Sequence, residues 1–263
     1  MKSVFYLHKK YSLLVCTFFF LLSCANDDND YLNKQVENDL HKTELKLKKI
    51  IHEQLIPNTT GQGEKLQTST TTFAYGSNGY LEKLTKIHDY MPDIEYGYYS
   101  YEGKNVVSRS FYMTAFLYFK EDFFYENDLI SKSISIYPKI GTINTVLYTY
   151  NKDKDLIGTE HYIGNESIPN QTVTYHYNSA KNIITITSTF KDGYRETGTN
   201  WLDDKNNPSK YTLPDNYLKI FVGGNKNIRK VNDIDYHYIY NKYSYPTQSD
   251  DYMGRRYYEY YQP

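Results

Sequence analysis

The stretch TTTFAYGSNGYLEKLTKI, residues Thr70 to Ile87, decides the expected fold because its pattern returns along most of the chain. Apolar and polar side chains alternate up to Phe73 and Tyr75, which is typical of a half-buried strand. The turn-forming residues Gly76 to Gly79 follow, and Leu84 belongs to a second strand. The stretch therefore predicts a hairpin of two antiparallel strands.

The hairpin pattern recurs at intervals of about 25 residues, as expected of a repeat architecture. The residues that precede each turn are Tyr75, Tyr101, Tyr125, Tyr150, Tyr177 and, after Trp201, Leu202. The composition, with 32 Tyr and 12 Phe, also favours strands over helices. We therefore predict an all-β fold, a single curved antiparallel meander of about a dozen strands that curls as far as a half barrel.

The two ends of this array are predicted less directly. Residues Glu44 to Leu55 alternate like a strand, although a helix is the alternative, and we expect them to pair with Gln67 to Tyr75. The last strand, Tyr257 to Tyr261, is expected to form an edge of the sheet. Charged residues that would discourage edge pairing there are Arg255, Arg256 and Glu259.

The N-terminus has the features of an export signal. Three lysines precede an uncharged run from Tyr11 to Leu22, which is shorter than a typical membrane-spanning helix. The sequence Leu-Leu-Ser-Cys that ends at Cys24 resembles the lipobox of bacterial lipoproteins. That resemblance implies cleavage before Cys24 and lipidation of its thiol; an ordinary cleaved signal peptide is the alternative.

An acidic segment, Ala25 to Asp30, directly follows the predicted lipidation site. It resembles the tag that directs many lipoproteins of the Bacteroidota to the outer face of the outer membrane, and a solvated linker is the alternative. The expected organisation is a signal peptide at 1–23, a flexible tether at 24–43 and a repeat domain at 44–263. The expected location is the outer membrane, at the cell surface or on its periplasmic face.

The charge balance and the cysteines limit the classes of partner. The chain has 30 basic and 31 acidic residues and no basic run, so nucleic-acid binding is not expected. Cys16 lies in the predicted signal peptide, which leaves Cys24 as the one cysteine of the mature chain. We expect a monomer that contacts the membrane through Cys24 and binds a glycan or a protein ligand.

The hairpin pattern, a Tyr-x-Tyr alternation before an Asn- or Asp-rich turn, resembles the YD (RHS-type) repeat, which builds spiralling sheets. Together with the lipobox and the acidic segment, it makes the chain similar to the repeat-containing outer-membrane lipoproteins of the Bacteroidota. The resemblance extends from Leu45 to Tyr261. It implies a hairpin architecture but no activity.

Motifs for catalysis are absent from the sequence, which has no nucleophile elbow, no His-Glu-x-x-His and no Walker loop. We therefore predict no catalytic residue, no metal and no cofactor. A non-enzymatic binding or structural role is favoured, with a polymer-degrading hydrolase and a periplasmic carrier of lipid or lipoprotein as alternatives. His176 and His237 alternate with the tyrosines of their strands and are expected to face solvent.

The repeat is interrupted between Leu202 and Tyr240, and an interruption of a regular array often carries a binding surface. The candidate binding residues in and beside it are Trp201, Tyr211, Tyr217, Phe221 and Asn225. A glycan or another extracellular polymer is the expected ligand. The alternative is that this segment is a loop or short helix that plugs the open end of the sheet. The tyrosine stripes likewise have two interpretations, as packing or as a platform for a polymer.

Overall fold

The computed structural model describes residues 44–57, 64–221, 224 and 226–262. They form one antiparallel sheet of seventeen strands. The strands are β1 (Leu47–Pro57), β2 (Glu64–Tyr75), β3 (Leu81–His88), β4 (Ile94–Glu102), β5 (Asn105–Met113), β6 (Phe116–Glu126), β7 (Leu129–Tyr137), β8 (Thr142–Tyr150), β9 (Leu156–Ile163), β10 (Gln171–Asn178), β11 (Ile183–Phe190), β12 (Arg195–Asn206), β13 (Lys226–Val231), β14 (Ile234–Asp235), β15 (His237–Tyr240), β16 (Pro246–Asp251) and β17 (Gly254–Tyr260). A 3-10 turn, Ser179–Lys181, and one short helix, α1 (Asp215–Leu218), interrupt them.

The sheet is a meander in which strands adjacent in sequence pair side by side. The chain passes from β14 to β15 through Tyr236, whose backbone N–H still bonds to Arg229 of β13. The predicted all-β, curved antiparallel meander is confirmed. It has more strands than the expected dozen, and residues 47–57 form a strand that pairs with β2, as predicted. The proposed boundaries at residues 23 and 43 lie outside the described residues.

The curvature continues until the first and last strands meet. β17 pairs with β1 from Tyr260 opposite Leu47 to Arg255 opposite Glu53. The prediction that the last strand forms an edge is therefore wrong. The backbone groups of β1 and β17 satisfy each other, so neither strand presents a free edge on that side. Arg256 instead is buried and pairs with Asp251, and Glu259 pairs with lysines of β1.

The two ends of the closed sheet differ in chemistry. We call the end with the turns after β1, β3, β5, β7, β9, β11, β13 and β16 the upper end, and the opposite end the lower end. The lower turns contain the Gly, Asn, Asp and Lys residues of the repeat. The plug, which we define as residues 207–221, also starts from the lower end, between β12 and β13.

Tyrosine hydroxyl groups form a regular series of hydrogen bonds along the lower end, which we call the tyrosine ladder. Each hydroxyl donates to a backbone carbonyl about one repeat earlier in the chain. The donors and acceptors are Tyr75 to Leu47 (2.6 Å), Tyr101 to Leu81 (2.6 Å), Tyr125 to Val106 (3.0 Å), Tyr150 to Ile130 (2.9 Å) and Tyr177 to Leu156 (2.8 Å). The donors are the tyrosines that define the sequence repeat.

The first four ladder tyrosines also lie opposite the acceptor of the next bond, across their own hairpins. Tyr101 lies opposite Val106, directly after a register shift between Ser100 and Tyr101. Val106 is completely buried, as is the equivalent Ile130. One residue type therefore ends each hairpin, packs its ring beside the core and bonds its hydroxyl to the preceding hairpin.

The plug fills the lower interior of the sheet. Leu213, Tyr217 and Leu218 are buried in the main core cluster together with side chains of β3 to β7. The Tyr217 ring meets Tyr99 and Phe123 edge-on, with ring centroids 6.3 Å and 5.1 Å away. The sequence left open whether this segment carries a binding surface or plugs the sheet as a loop or short helix. The structure shows a loop with a short helix that fills the lower interior.

A buried ion pair lies against this core. Arg109 of β5 and Glu121 of β6 are direct neighbours, and both Nε and an Nη of the guanidinium donate to Glu121 Oε2 at 2.7 Å. The rings of Phe111, Phe119 and Phe123 surround the guanidinium at 5.4 to 5.8 Å. Removing one partner would leave a buried charge uncompensated, so the pair fixes the register of β5 against β6.

The tyrosine ladder makes a direct prediction about stability. Tyr101→Phe removes a hydroxyl that satisfies the Leu81 carbonyl, so we expect the free energy of unfolding to fall by about 1 to 2 kcal/mol. Tyr98→Phe, on the outer face of the same strand, is the matched control and should change it by less than about 0.5 kcal/mol. Denaturant unfolding of both variants measures the difference. Equal effects would mean that the ladder bond contributes nothing specific.

Candidate functional site

The outer face of the sheet is continuous from strand to strand because directly paired residues point to the same side. One such row runs from Lys83 through Tyr98 and Ser110 to Lys120. The next row toward the upper end pairs Tyr96 with Tyr112. Tyrosines that are separated by one residue in β4 therefore lie beside a third tyrosine of β5.

These three rings and one lysine form a partly exposed group, which we call the tyrosine platform: Lys83, Tyr96, Tyr98 and Tyr112. The Tyr96 and Tyr98 rings are stacked, with centroids 6.4 Å apart and planes inclined by 28°. Tyr112 meets Tyr98 edge-on at 5.7 Å. The Lys83 ammonium lies 4.8 Å from the Tyr96 centroid and 5.4 Å from the Tyr98 centroid, within range of a cation–π interaction.

Gly97, between the two stacked tyrosines, faces the core, where there is no room for a side chain. A Cβ atom at this position would lie 2.8 Å from side-chain atoms of both Leu84 and Phe111. The absence of a side chain lets these core residues close over β4 from inside. Tyr96 and Tyr98 thus belong to a strand whose inner side is tightly packed, and this packing holds their positions.

The platform borders a shallow, open groove of about 490 Å³. Ser110 and Thr114 add hydroxyl groups to its lining. Aromatic faces with hydroxyl groups at their margin can contact the apolar face of a ring while donating and accepting hydrogen bonds at its edge. This is the arrangement that a saccharide needs, because its rings have apolar C–H faces and polar edges.

Of the sequence-predicted binding residues, the structure brings Tyr217 and Phe221 together, with ring centroids 5.4 Å apart. Trp201 lies between the buried Asn200 and Leu202 in β12 and packs under the ammonium group of Lys230, 5.7 Å from its ring. Tyr211, in the plug, has the Lys210 ammonium 5.1 Å from its ring. Ligand binding by this pair remains a prediction.

The remaining predicted site residues are at least partly buried or lie outside the described part of the chain. Tyr217 is completely buried, and Phe221 packs against the same core cluster, so a ligand would have to displace the plug to stack on Tyr217. Cys24 and Asn225 lie outside the described residues. His176 and His237 are exposed, as expected.

Sequence reasoning missed the platform although part of its signal was visible. The alternation of Ile94, Tyr96 and Tyr98 appeared as one of several tyrosine stripes, which packing alone can explain. What distinguishes this stripe is the partner Tyr112, and that neighbour follows only from the register of β4 against β5.

The alternative functions make different demands on the interior. The carrier hypothesis requires an open concave face, and among the described residues the plug and the core cluster occupy its lower part. The hydrolase hypothesis required two carboxylates that converge in a cleft. Buried carboxylates in the described residues instead have partners of their own: Glu95 contacts His88 and Lys86, Glu121 contacts Arg109, and Asp251 contacts Arg256.

Asp203 is a further buried carboxylate with its own set of donors. The Tyr240 hydroxyl donates to it at 2.5 Å, and the backbone N–H groups of Lys205 and Asn227 donate as well. Burial raises the pKa of Asp203, and these donors oppose the rise. The described residues contain no group of three or more His, Cys, Asp or Glu arranged to hold a metal ion. They also contain no helix long and apolar enough to cross a membrane.

Comparison with solved structures finds the same fold in a porin-like protein from Bacteroides uniformis. The TM-score is 0.57 and the sequence identity is 14%, and the match covers 82% of this chain and 98% of that chain. At this identity the likeness concerns the fold alone. No protein-family model matches the chain, and no curated protein matches it in sequence.

A partly buried histidine on the inner face predicts a loss of stability in acid. His161 Nε2 lies 2.8 Å from the Thr159 hydroxyl, and burial lowers the pKa of His161 from 6.5 to about 4. The unfolded chain therefore binds this proton first as the pH falls. The stabilisation is present above pH 6.5 and is lost as the pH falls toward 4.

We expect the free energy of unfolding to be lower at pH 5 than at pH 7, with His161 contributing on the order of 1 to 2 kcal/mol of the difference. His161→Gln should remove that contribution, whereas His176→Gln, at an exposed position of the outer face, should not. Urea unfolding at both pH values measures it. An unchanged pH dependence in His161→Gln would show that the folded protein binds the proton as readily as the unfolded chain does.

Proposed function

We propose that this protein is a lipid-anchored, non-enzymatic binding module of the outer membrane, and that its tyrosine platform binds a glycan or another extracellular polymer. The observation that carries the proposal is the partly exposed platform, whose three tyrosines line an open groove. The proposal shifts the expected binding surface from the interruption of the repeat to the outer face of β4 and β5.

The geometry of the platform favours an extended, hydroxyl-rich ligand. The Tyr96 and Tyr98 rings lie next to each other with nearly parallel planes, and the edge-on Tyr112 ring borders them. Lys83 adds a positive charge that hydroxyl or acidic groups can approach. Successive sugar residues of a chain could therefore contact successive rings across the two strands.

The outer face supports a location outside the hydrocarbon core of a membrane. A sheet surrounded by lipid needs an apolar outward band roughly 25 Å tall. Here the middle of the outward face carries charged side chains, with Lys120 and Asp122 paired at 2.9 Å in β6 and Lys132 and Glu160 on β7 and β9. We infer that attachment to the membrane depends on Cys24 instead, and that the tether places the sheet beside the membrane.

The location in the outer membrane has two lines of support. The Leu-Leu-Ser-Cys sequence and the acidic segment after it resemble the anchor and export signals of Bacteroidota lipoproteins. The structural neighbour is a porin-like protein of a Bacteroides species. The YD-type repeat remains part of the proposal, and the regular tyrosine ladder supports it.

The platform is tested by binding of the purified protein to two immobilised polysaccharides, a neutral glucan and a sulfated polymer. Tyr98→Ala combined with Tyr112→Ala should weaken binding at least tenfold, because each lost ring contact contributes about 1 kcal/mol. The comparison variant is Trp201→Ala combined with Tyr211→Ala, the pair predicted from sequence, which should bind like the unchanged protein if the platform holds the ligand. Loss of binding in the comparison variant alone, or no binding by the unchanged protein, would refute the platform.

The lipid anchor is tested in cells that are fed labelled fatty acid. Cys24→Ala should abolish incorporation of the label, whereas Cys16→Ala, in the predicted signal peptide, should leave it unchanged. Protease added to intact cells should digest the anchored protein if it is displayed at the surface. Labelling that persists in Cys24→Ala would contradict the anchor.

A further inference from the structure

The exposed apolar side chains of the sheet are concentrated at its upper end. We define the apolar rim as the aliphatic and Phe side chains that are at least half exposed there: Leu55, Leu66, Ile87, Phe116, Ile140 and Ile168. Two strongly exposed tyrosines, Tyr194 and Tyr252, lie in the turns of the same end. Such a concentration is unusual for a surface that faces only water.

The lower end shows the contrast. Most of its turn residues are polar, and the apolar residues Leu81, Val106 and Ile130 beside them are buried, although Phe124 and Ile239 are 45% and 56% exposed. Both ends are built from the same hairpins, so the repeat itself does not require exposed apolar residues at a turn. The difference between the two ends therefore has to come from the surroundings of the upper end.

The hairpin of β1 and β2 extends further than its neighbours. Its pairing continues to Pro57 opposite Glu64, whereas β17 pairs with β1 only as far as Glu53 and β3 pairs with β2 only as far as Ser69. Leu55 and Leu66 are direct partners on this free part and are 60% and 50% exposed. This apolar pair therefore lies beyond the last paired residues of β17 and β3.

We propose that the apolar rim docks on a lipid surface, with Leu55, Leu66, Phe116 and Ile140 entering the boundary between headgroups and acyl chains. Side chains that are spread around one end of a closed sheet can touch a flat surface together. A groove for a peptide or a helix would need them on one side. The exposed Tyr194 and Tyr252 suit the same boundary, where an apolar ring and a polar hydroxyl are both satisfied.

Charge at the upper end favours a zwitterionic surface over an anionic one. Acidic and basic residues are mixed there, and Glu166 pairs with Lys191 across two turns. No single-sign field is therefore available to attract anionic headgroups. Docking should depend on the apolar side chains and should not increase when anionic lipid is added.

The inference rests on the lipid anchor of the proposed function, and the length of the tether is compatible with it. β1 starts at the lower end, and the segment from Cys24 to Glu44 spans at most roughly 66 Å when extended. A strand of nine to eleven residues, such as those here, spans roughly 30 to 37 Å. The tether can therefore pass along the sheet and let the upper end face the membrane that holds the anchor.

The test uses the full protein with a fluorophore on a single introduced cysteine and phosphatidylcholine vesicles that carry a lipid-attached quencher. Ile140→Cys places the fluorophore in the apolar rim, and Lys152→Cys places it in a strongly exposed turn of the lower end. We expect at least twofold stronger quenching at position 140 than at position 152. Adding Phe116→Ser and Ile168→Ser should reduce quenching at position 140 at least twofold.

Three other outcomes of the vesicle experiment would contradict the inference, and each can be told apart from the others. Vesicle association without stronger quenching at position 140 would leave the anchor intact and refute rim docking. No vesicle association would refute both. A fluorescence shift at position 140 that grows with protein concentration and needs no vesicles would show that the rim covers a second copy of this chain. Binding to polysaccharide, measured separately, distinguishes these results from a failure of the tyrosine platform.

Discussion

The hydrogen bond from a tyrosine hydroxyl to a backbone carbonyl of the preceding hairpin is the constraint on which this architecture depends. A hairpin by itself is barely stable and can slip in register against its neighbours. Tyr101, for example, is placed by its own hairpin opposite Val106 and is bound to Leu81 of the hairpin before it. Repetition of this link along the lower end sets the position of one hairpin after another. The burial that it requires also raises the pKa of these hydroxyls, to about 12 for Tyr177.

The closure of the sheet and the presence of the plug both follow from placing one hairpin beside the next. When the hairpins continue around the sheet, β17 reaches β1 and the backbone groups of the terminal strands pair. A closed sheet of this many strands is too wide for the side chains of its wall to fill alone, and near the lower end the segment after β12 fills it with Tyr217 and its neighbours. Surfaces for binding are therefore left on the outer face and at the upper end, where the platform and the apolar rim lie.

The fold was predictable from sequence to the extent that it depends on local pattern. The alternation around Phe73 and Tyr75, the turn residues after it and their recurrence specify strands and hairpins. Closure was not predictable, because it depends on accumulated curvature, and Arg256 looked like an edge charge although it is buried beside Asp251. The platform was only half visible, since Tyr96 and Tyr98 are neighbours in sequence pattern but Tyr112 joins them through register. Tyr217 is buried, which the sequence could not show, because an aromatic residue in an interruption can serve a surface or a core equally well.

The central claim is that the repeat tyrosines hold the hairpins together through their hydroxyl groups, and nuclear magnetic resonance of those hydroxyl protons tests it most directly. The account predicts that the hydroxyl protons of Tyr101 and Tyr125 exchange slowly with water and lie close in space to the backbone of Leu81 and Val106. The hydroxyl proton of Tyr98, on the outer face, should exchange rapidly. Equally rapid exchange at all three tyrosines would contradict the account.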